Sequence, residues 1–327
     1  MAFIEHEVRI PSSGVALAGT LTIPEGPGSS ACMILAGGSL SDDRNGRMAD
    51  GLCHRPERDA IRRLAHVLAD AGYASIRWDK RGYGSTPKGT QRTNNGDDTD
   101  DLMAVIAHAR GSLAYSRVAV FGESAGAYFA GLAAKRGAHA DAYVFLGALC
   151  STNVRLFAYN YGRLYEYAMR SEKNRRWAEN VALFGLAIGK SYQDILYAAH
   201  SGDSVFHITY GDHAFDYRLE RQREEIEDTP QALFSYIKAP SLILHGELDM
   251  NVPPEDAAEA EAIMRRSGNT EVTRIMIPGV DHSFQVAPQD YEMRLRQRHS
   301  FESFNNPYSE KFYELLIEWL DKQFQDK

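Results

Sequence analysis

The sequence predicts an α/β fold: a mostly parallel, doubly wound sheet of about eight strands, interrupted once by a helical insertion. Three observations carry this. β-rich runs alternate with helical patterns along most of the chain, several of those runs are apolar at every position, and the alternation lapses between residues 151 and 239. A strand covered by helices on both faces has no polar side to present, so continuous apolar runs are what it requires.

The elements follow in order. Residues 4–10 and 15–23, separated by Pro11-Ser12-Ser13-Gly14, predict an antiparallel hairpin at one edge of the sheet. Ala31-Cys32-Met33-Ile34-Leu35-Ala36 is a buried strand, and a long loop follows. Residues 58–71 place Ile61, Leu64, Ala65 and Leu68 on one helical face, and Gly72 marks the stop. Residues 73–78 form the next strand. Asp97, Asp98, Asp100 and Asp101 then precede an apolar run over 102–109, and carboxylates there favour a helix start by opposing its partial positive charge. Residues 117–122 predict a strand, 125–136 a helix and 142–149 a strand. Beyond the insertion, 241–245 resumes the strand pattern, 255–266 a helix and 272–277 a strand. A last helix aligns Phe312, Leu315, Leu316, Trp319 and Leu320 on one face.

Composition narrows the class. Of 327 residues, 44% are hydrophobic and 24% charged, which suits a globular chain with a substantial core and excludes disorder. The formal net charge of −8 argues against a nucleic-acid partner, because phosphate recognition wants a basic surface. The start has no basic leader or apolar stretch, and the longest apolar run, 142–150, is far short of a bilayer span; the expectation is a cytoplasmic protein with no membrane partner. Cys32, Cys53 and Cys150 are widely spaced and odd in number, as expected of reduced thiols.

The decisive motif is Gly122-Glu123-Ser124-Ala125-Gly126, a G-x-S-x-G pentapeptide between a predicted strand and a predicted helix. That context suits a nucleophile elbow, a strained turn that exposes the serine hydroxyl. A serine hydroxyl needs a base within reach and a third group to orient the base. Asp249, in His245-Gly246-Glu247-Leu248-Asp249, and His282, in Pro278-Gly279-Val280-Asp281-His282-Ser283-Phe284, each follow a predicted strand, where open α/β sheets assemble their sites. Glu247 and Asp256 are rivals for the acid, and Asp281 reads as a loop-shaping neighbour. His245 reads as a packed core residue. His207, Asp212 and His213 match no compact ligand spacing, so no metal is expected.

With these residues in order, the chain resembles the serine hydrolases of the α/β-hydrolase superfamily, over residues 31–150 and 240–284, about half of its length. The resemblance implies Ser124 as nucleophile, Asp249 as acid and His282 as general base. Asp79-Lys80-Arg81-Gly82-Tyr83-Gly84-Ser85 is similar to a family loop after the fourth strand and is taken as structural. Residues 36–46 resemble the glycine-rich loop of some bacterial esterases and aminopeptidase-like hydrolases, departing from them at Ala36. The oxyanion donors expected are the amides of Ala125 and Gly38, with Ser39 close behind.

The resemblance divides the chain into a hydrolase core, 1–150 and 240–327, and an inserted helical cap, 151–239. That cap holds 15 of the 34 aromatic residues in 89 positions, an enrichment from which a mostly apolar pocket and a bulky, partly aromatic ester are expected. A second insertion, 285–307, reads as a solvated loop and short helix, with a pocket wall or a contact between copies as the other readings. The expected activity is carboxylic-ester hydrolysis of a small-molecule acyl substrate, with no cofactor. Amidase or aminopeptidase, acyltransferase and C–C hydrolase chemistries share the same triad, and a non-catalytic ligand-binding protein on this fold is the rival of another class.

Overall fold

A computed structural model describes residues 2–26, 28–39, 41–48, 58–89 and 94–324; Cys53 lies outside them. The chain opens with β1 (Phe3–Ser12) and β2 (Val15–Pro24), an antiparallel hairpin. Next come β3 (Ala31–Ala36), α1 (Ala60–Asp70), β4 (Ala74–Trp78), α2 (Asn95–Gly111), β5 (Arg117–Glu123), α3 (Ala125–Lys135) and β6 (Ala142–Leu146). All six residues of β3 and all five of β6 are buried, as strands covered on both faces must be.

The insertion follows β6. It runs through α4 (Asn153–Phe157), a π-helical turn (Ala158–Gly162), α5 (Arg163–Met169), α6 (Glu172–Val181) and α7 (Leu183–Ser201). It then forms β7 (Val205–Tyr210) and β8 (His213–Arg218), an antiparallel hairpin, before α8 (Glu220–Glu227) and α9 (Pro230–Phe234). The sequence pattern shows no buried strand here because the hairpin is largely exposed and carries polar residues along both strands. Its two histidines do not converge: His207 Nδ1 meets Asp216 across the hairpin at 2.6 Å, and both side chains are exposed. A Cβ on Gly189 would sit 2.2 Å from the Tyr161 carbonyl oxygen, so glycine is what lets α7 close on the π turn.

The core resumes with β9 (Ser241–Gly246), α10 (Glu255–Arg266) and β10 (Val272–Ile277), then α11 (Tyr291–Ser300) and α12 (Glu310–Phe324). The eight-stranded sheet has the order β1-β2-β4-β3-β5-β6-β9-β10. All pairs from β4 to β10 are parallel, and β2 joins β4 antiparallel. One face packs against α2, α3 and α10 through Leu102, Val105, Phe129, Ala257 and Met264. The other packs against α1 and α12 through Ile61, Leu64, Leu68, Phe312, Leu316 and Leu320. Because its strands run parallel, the sheet brings the residues after β3, β5, β6, β9 and β10 to one edge.

Asn94 caps α2 by accepting the Asp97 amide at 2.7 Å, with Asp97 and Asp98 in the first turn. The acidic run does more than cap: Asp101 pairs with Arg81 and Ser12, and Asp98 with Arg221 of the insertion. No helix among the described residues is long and apolar enough to cross a membrane. Cys32 and Cys150 are free and buried, and burial pushes both thiols up, as inert packing groups.

Candidate active site

Ser124 sits between β5 and α3 with φ 52° and ψ −113°, a backbone conformation that costs free energy for a residue with a Cβ. The flanking glycines explain how the turn is tolerated. A Cβ on Gly122 would lie 2.7 Å from the Ala127 nitrogen, and one on Gly126 would lie 2.3 Å from the Ala36 carbonyl oxygen. The Ser124 amide donates to the Leu146 carbonyl at 2.8 Å, which fixes the turn against the end of β6.

Asp249 and His282 are brought together from the ends of β9 and β10. His282 Nδ1 donates to Asp249 Oδ2 at 2.7 Å, which leaves Nε2 as the basic nitrogen. Asp249 Oδ1 accepts the amides of Asn251 and Val252 at 2.7 and 2.9 Å. Burial alone would raise the Asp249 carboxyl, but His282 and His245 outweigh it and hold the group well below the usual carboxylate range. Gly147, at φ 60°, makes room for the imidazole: a Cβ there would lie 2.9 Å from the His282 ring. Ser124 Oγ makes no hydrogen bond to His282 among the described residues, and such bonds are commonly loose before substrate binds.

The rival acids have other work. Asp256 accepts the amides of Cys150 and Ser151 and the Ser151 hydroxyl, Asp281 accepts the amides of Ser283 and Gln285, and Glu247 is exposed. His245 is buried as expected, but it also touches the acid, with Nε2 3.1 Å from Asp249 Oδ2. Tyr159, on the π turn, donates its hydroxyl to the Asp249 carbonyl at 2.5 Å.

The oxyanion loop departs from expectation. The Gly38 amide donates to Glu123 Oε2 at 3.0 Å, so it is not free to meet a developing oxyanion. Gly38 instead serves by close approach, since a Cβ would sit 2.9 Å from Ser124 Cβ. Ser39, the other residue expected to donate, lines the cavity beside Ser124 and Ala125. Ala125 is the first residue of α3, where an amide has no partner within the helix.

Glu123 was only a variable position in the pentapeptide, yet it holds the site together. Its carboxylate pairs with the buried Arg58, and it accepts Ser41 Oγ at 2.8 Å. Arg58 in turn donates to Ser41 Oγ at 2.7 Å and to Ser283 Oγ at 3.3 Å. This network ties the elbow, the loop after β3 and the segment carrying His282. Burial alone would raise the Glu123 carboxyl, but the Arg58 guanidinium and the donated hydrogen bonds lower it from 4.5 to about 2. A partner 65 residues away leaves no spacing signature, so sequence could not show it.

Over Ser124 lies a cavity of about 340 Å³, a size that suits a small-molecule substrate. Its lining overturns the expectation of a mostly apolar pocket. From the insertion only Phe157, Tyr161 and Tyr217 among the aromatics reach it, alongside Asn153, Asn160, Arg221, Gln222 and Glu225. Seven others build the insertion's own cores, Tyr192, Phe206 and Phe215 in one, Tyr165, Tyr167 and Trp177 in another, with Tyr210 touching both, while Phe234 joins the core of the sheet and Phe184, Tyr197 and Tyr236 are exposed. A small helical layer must bury its own apolar face, and aromatic count alone does not say which way rings point. The loop 79–85 is structural in part, because Asp79 binds Arg44 and the Ser85 amide, but Lys80 and Tyr83 line the cavity.

Comparisons with known proteins agree with this fold. Residues 54–194 match the family model described as serine aminopeptidase, S33, and residues 182–326 that of the prolyl oligopeptidase family. The sequence matches no curated protein. Among solved structures, an esterase of Pyrococcus furiosus superposes with a TM-score of 0.54 at 17% identity, covering 98% of this chain and 91% of that one. Est1E from Butyrivibrio proteoclasticus gives 0.52 at 15% identity, covering 97% and 98%. The Pyrococcus horikoshii acylaminoacyl peptidase gives 0.54 at 14% identity, covering all of this chain but 42% of that one. The fold is that of the α/β-hydrolases. The chain is a serine hydrolase of the α/β-hydrolase superfamily.

Proposed function

We propose that the chain hydrolyses a carboxylic ester through an acyl-enzyme on Ser124. The observation that carries this is the 2.7 Å hydrogen bond from His282 Nδ1 to Asp249, which presents Nε2 as a base on the same edge of the sheet as the strained Ser124 turn. In this reading the Ser124 oxygen attacks the acyl carbonyl while His282 Nε2 takes the hydroxyl proton. The amides of Ala125 and Ser39 stabilise the tetrahedral oxyanion. His282 then returns the proton to the leaving alcohol, and a water activated by the same imidazole releases the acid and regenerates Ser124.

The polar lining favours an ester bearing hydrogen-bonding groups over a purely aromatic one. Amide cleavage is the second reading, supported by the two peptidase family models. The test is labelling with a fluorophosphonate, then turnover of ester and amide probes matched in acyl group. Ser124→Ala is expected to abolish labelling and lower kcat by at least about 10³-fold. Normal turnover by that variant, or a label on another residue, overturns the reading.

A further inference from the structure

The cavity over Ser124 is lined by three cationic side chains, Lys80, Arg221 and Arg298, and they are not equally satisfied. Arg221 pairs with Asp98 at 2.8 Å and donates to Asn95 at 2.7 Å. Lys80 donates to the Gly38 carbonyl at 2.5 Å. Arg298, on α11, has no carboxylate within ion-pair distance among the described residues. Its one side-chain hydrogen bond there is a long one, from Nη2 to Asn160 Oδ1 at 3.4 Å, and its Nε is buried without a partner.

The acids near Arg298 are already engaged. Asp249 is taken by His282, His245 and two amides, and Asp281 by two amides. Glu225, also on the cavity wall, is held by Asn95 Nδ2 at 3.2 Å on the side where Arg221 lies. A guanidinium is expensive to enclose without a counter-charge, and its planar donor fork matches a carboxylate. A positive charge thus faces the reaction cavity with its protein counter-charges committed elsewhere.

We propose that Arg298 is a specificity-determining residue that seats a carboxylate of the substrate, so that the preferred ester is anionic. This rests on the reading of Ser124 as the nucleophile of an ester hydrolase. It assigns the second insertion, 285–307, a role as a wall of the pocket.

The test uses p-nitrophenyl monoesters of succinate, glutarate and adipate against neutral acyl esters of equal length, and 4-carboxyphenyl against phenyl butyrate. The first set carries the carboxylate on the acyl side and the second on the leaving group. Wild-type enzyme is expected to favour the carboxylate in at least one set by about 10- to 100-fold in kcat/KM, the range of a charge-assisted contact. Arg298→Gln should erase that preference through KM and leave the neutral probes within about twofold, and Arg298→Lys should restore part of it. Binding is read independently of chemistry on Ser124→Ala, titrated with monomethyl glutarate and with 4-carboxyphenyl butyrate. Tight binding lost on adding Arg298→Gln supports the site even if Ser124 proves not to be the nucleophile. No preference in either set together with no binding, or an equal loss on neutral and anionic probes in Arg298→Gln, overturns the proposal.

Discussion

Replacing Glu123 by Gln removes the negative charge paired with Arg58 while keeping the side chain's size and an acceptor for Gly38 and Ser41. Holding the carboxyl at about 2 instead of 4.5 corresponds to about 3 kcal/mol at 1.36 kcal/mol per pH unit. That agrees with the ~3–5 kcal/mol expected for breaking a buried ion pair from one side. The folded-state value lies below the unfolded one, so the stabilisation is fully present above pH 4.5 and is lost as pH falls towards 2. Urea unfolding of wild type and Glu123→Gln at pH 7 should therefore differ by about 3 kcal/mol, and the gap should shrink steadily at pH 4 and pH 3. Adding Arg58→Met to the variant should recover part of the loss, since the uncompensated buried cation is then gone. Because Gly38, Ser41 and Ser283 hang on the same pair, kcat should fall as well. A gap under about 0.5 kcal/mol at pH 7, or one unchanged between pH 7 and pH 3, would refute the argument that charge pairing anchors this loop.

Other consequences can be checked separately. Gly147→Ala places a methyl 2.9 Å from the His282 ring at a φ of 60°, so kcat should drop by about 10²-fold with a smaller change in KM, measured on an ester probe. The Asp249 carboxylate outweighs burial and raises the His245 imidazole, so its stabilising contribution is complete below pH 6.5 and fades as pH rises through its higher folded value. His245→Asn should accordingly lose more stability at pH 5.5 than at pH 9, and an equal loss at both would show that only packing matters. Glu225 is the opposite case: burial raises its carboxyl from 4.5 to about 7, so stability declines as pH climbs through that interval. Glu225→Gln should be the more stable protein at pH 8 by up to about 3 kcal/mol, with the difference gone at pH 4.

The site shows how far local pattern reaches. The pentapeptide around Ser124 was legible because a nucleophile elbow imposes strand, turn and helix within a dozen residues, and its glycines meet backbone atoms of α3 and β3. Asp249 and His282 were legible because each closes a recognisable strand. Gly38 lies in the expected loop, but a carboxylate 85 residues away occupies the amide expected to meet the oxyanion. The aromatic count of the insertion likewise says that rings must be buried, while contacts among α5, α6, α7 and the β7–β8 hairpin decide that most are buried in its own cores.

Sequence by itself determined the order of the core strands and helices, the candidate nucleophile and its two candidate partners, and the interruption after β6, because each is written in contiguous periodicity or in a short motif. Tertiary structure decided what depends on groups distant in the chain. Arg58 meets Glu123, two histidines share Asp249, Glu123 occupies the Gly38 amide while Ser39 lines the cavity, and Arg298 faces that cavity with no carboxylate in ion-pair distance among the described residues. Charge and hydrogen-bond satisfaction act through space between buried side chains, and nothing in the linear spacing of those residues records the partner that the fold supplies.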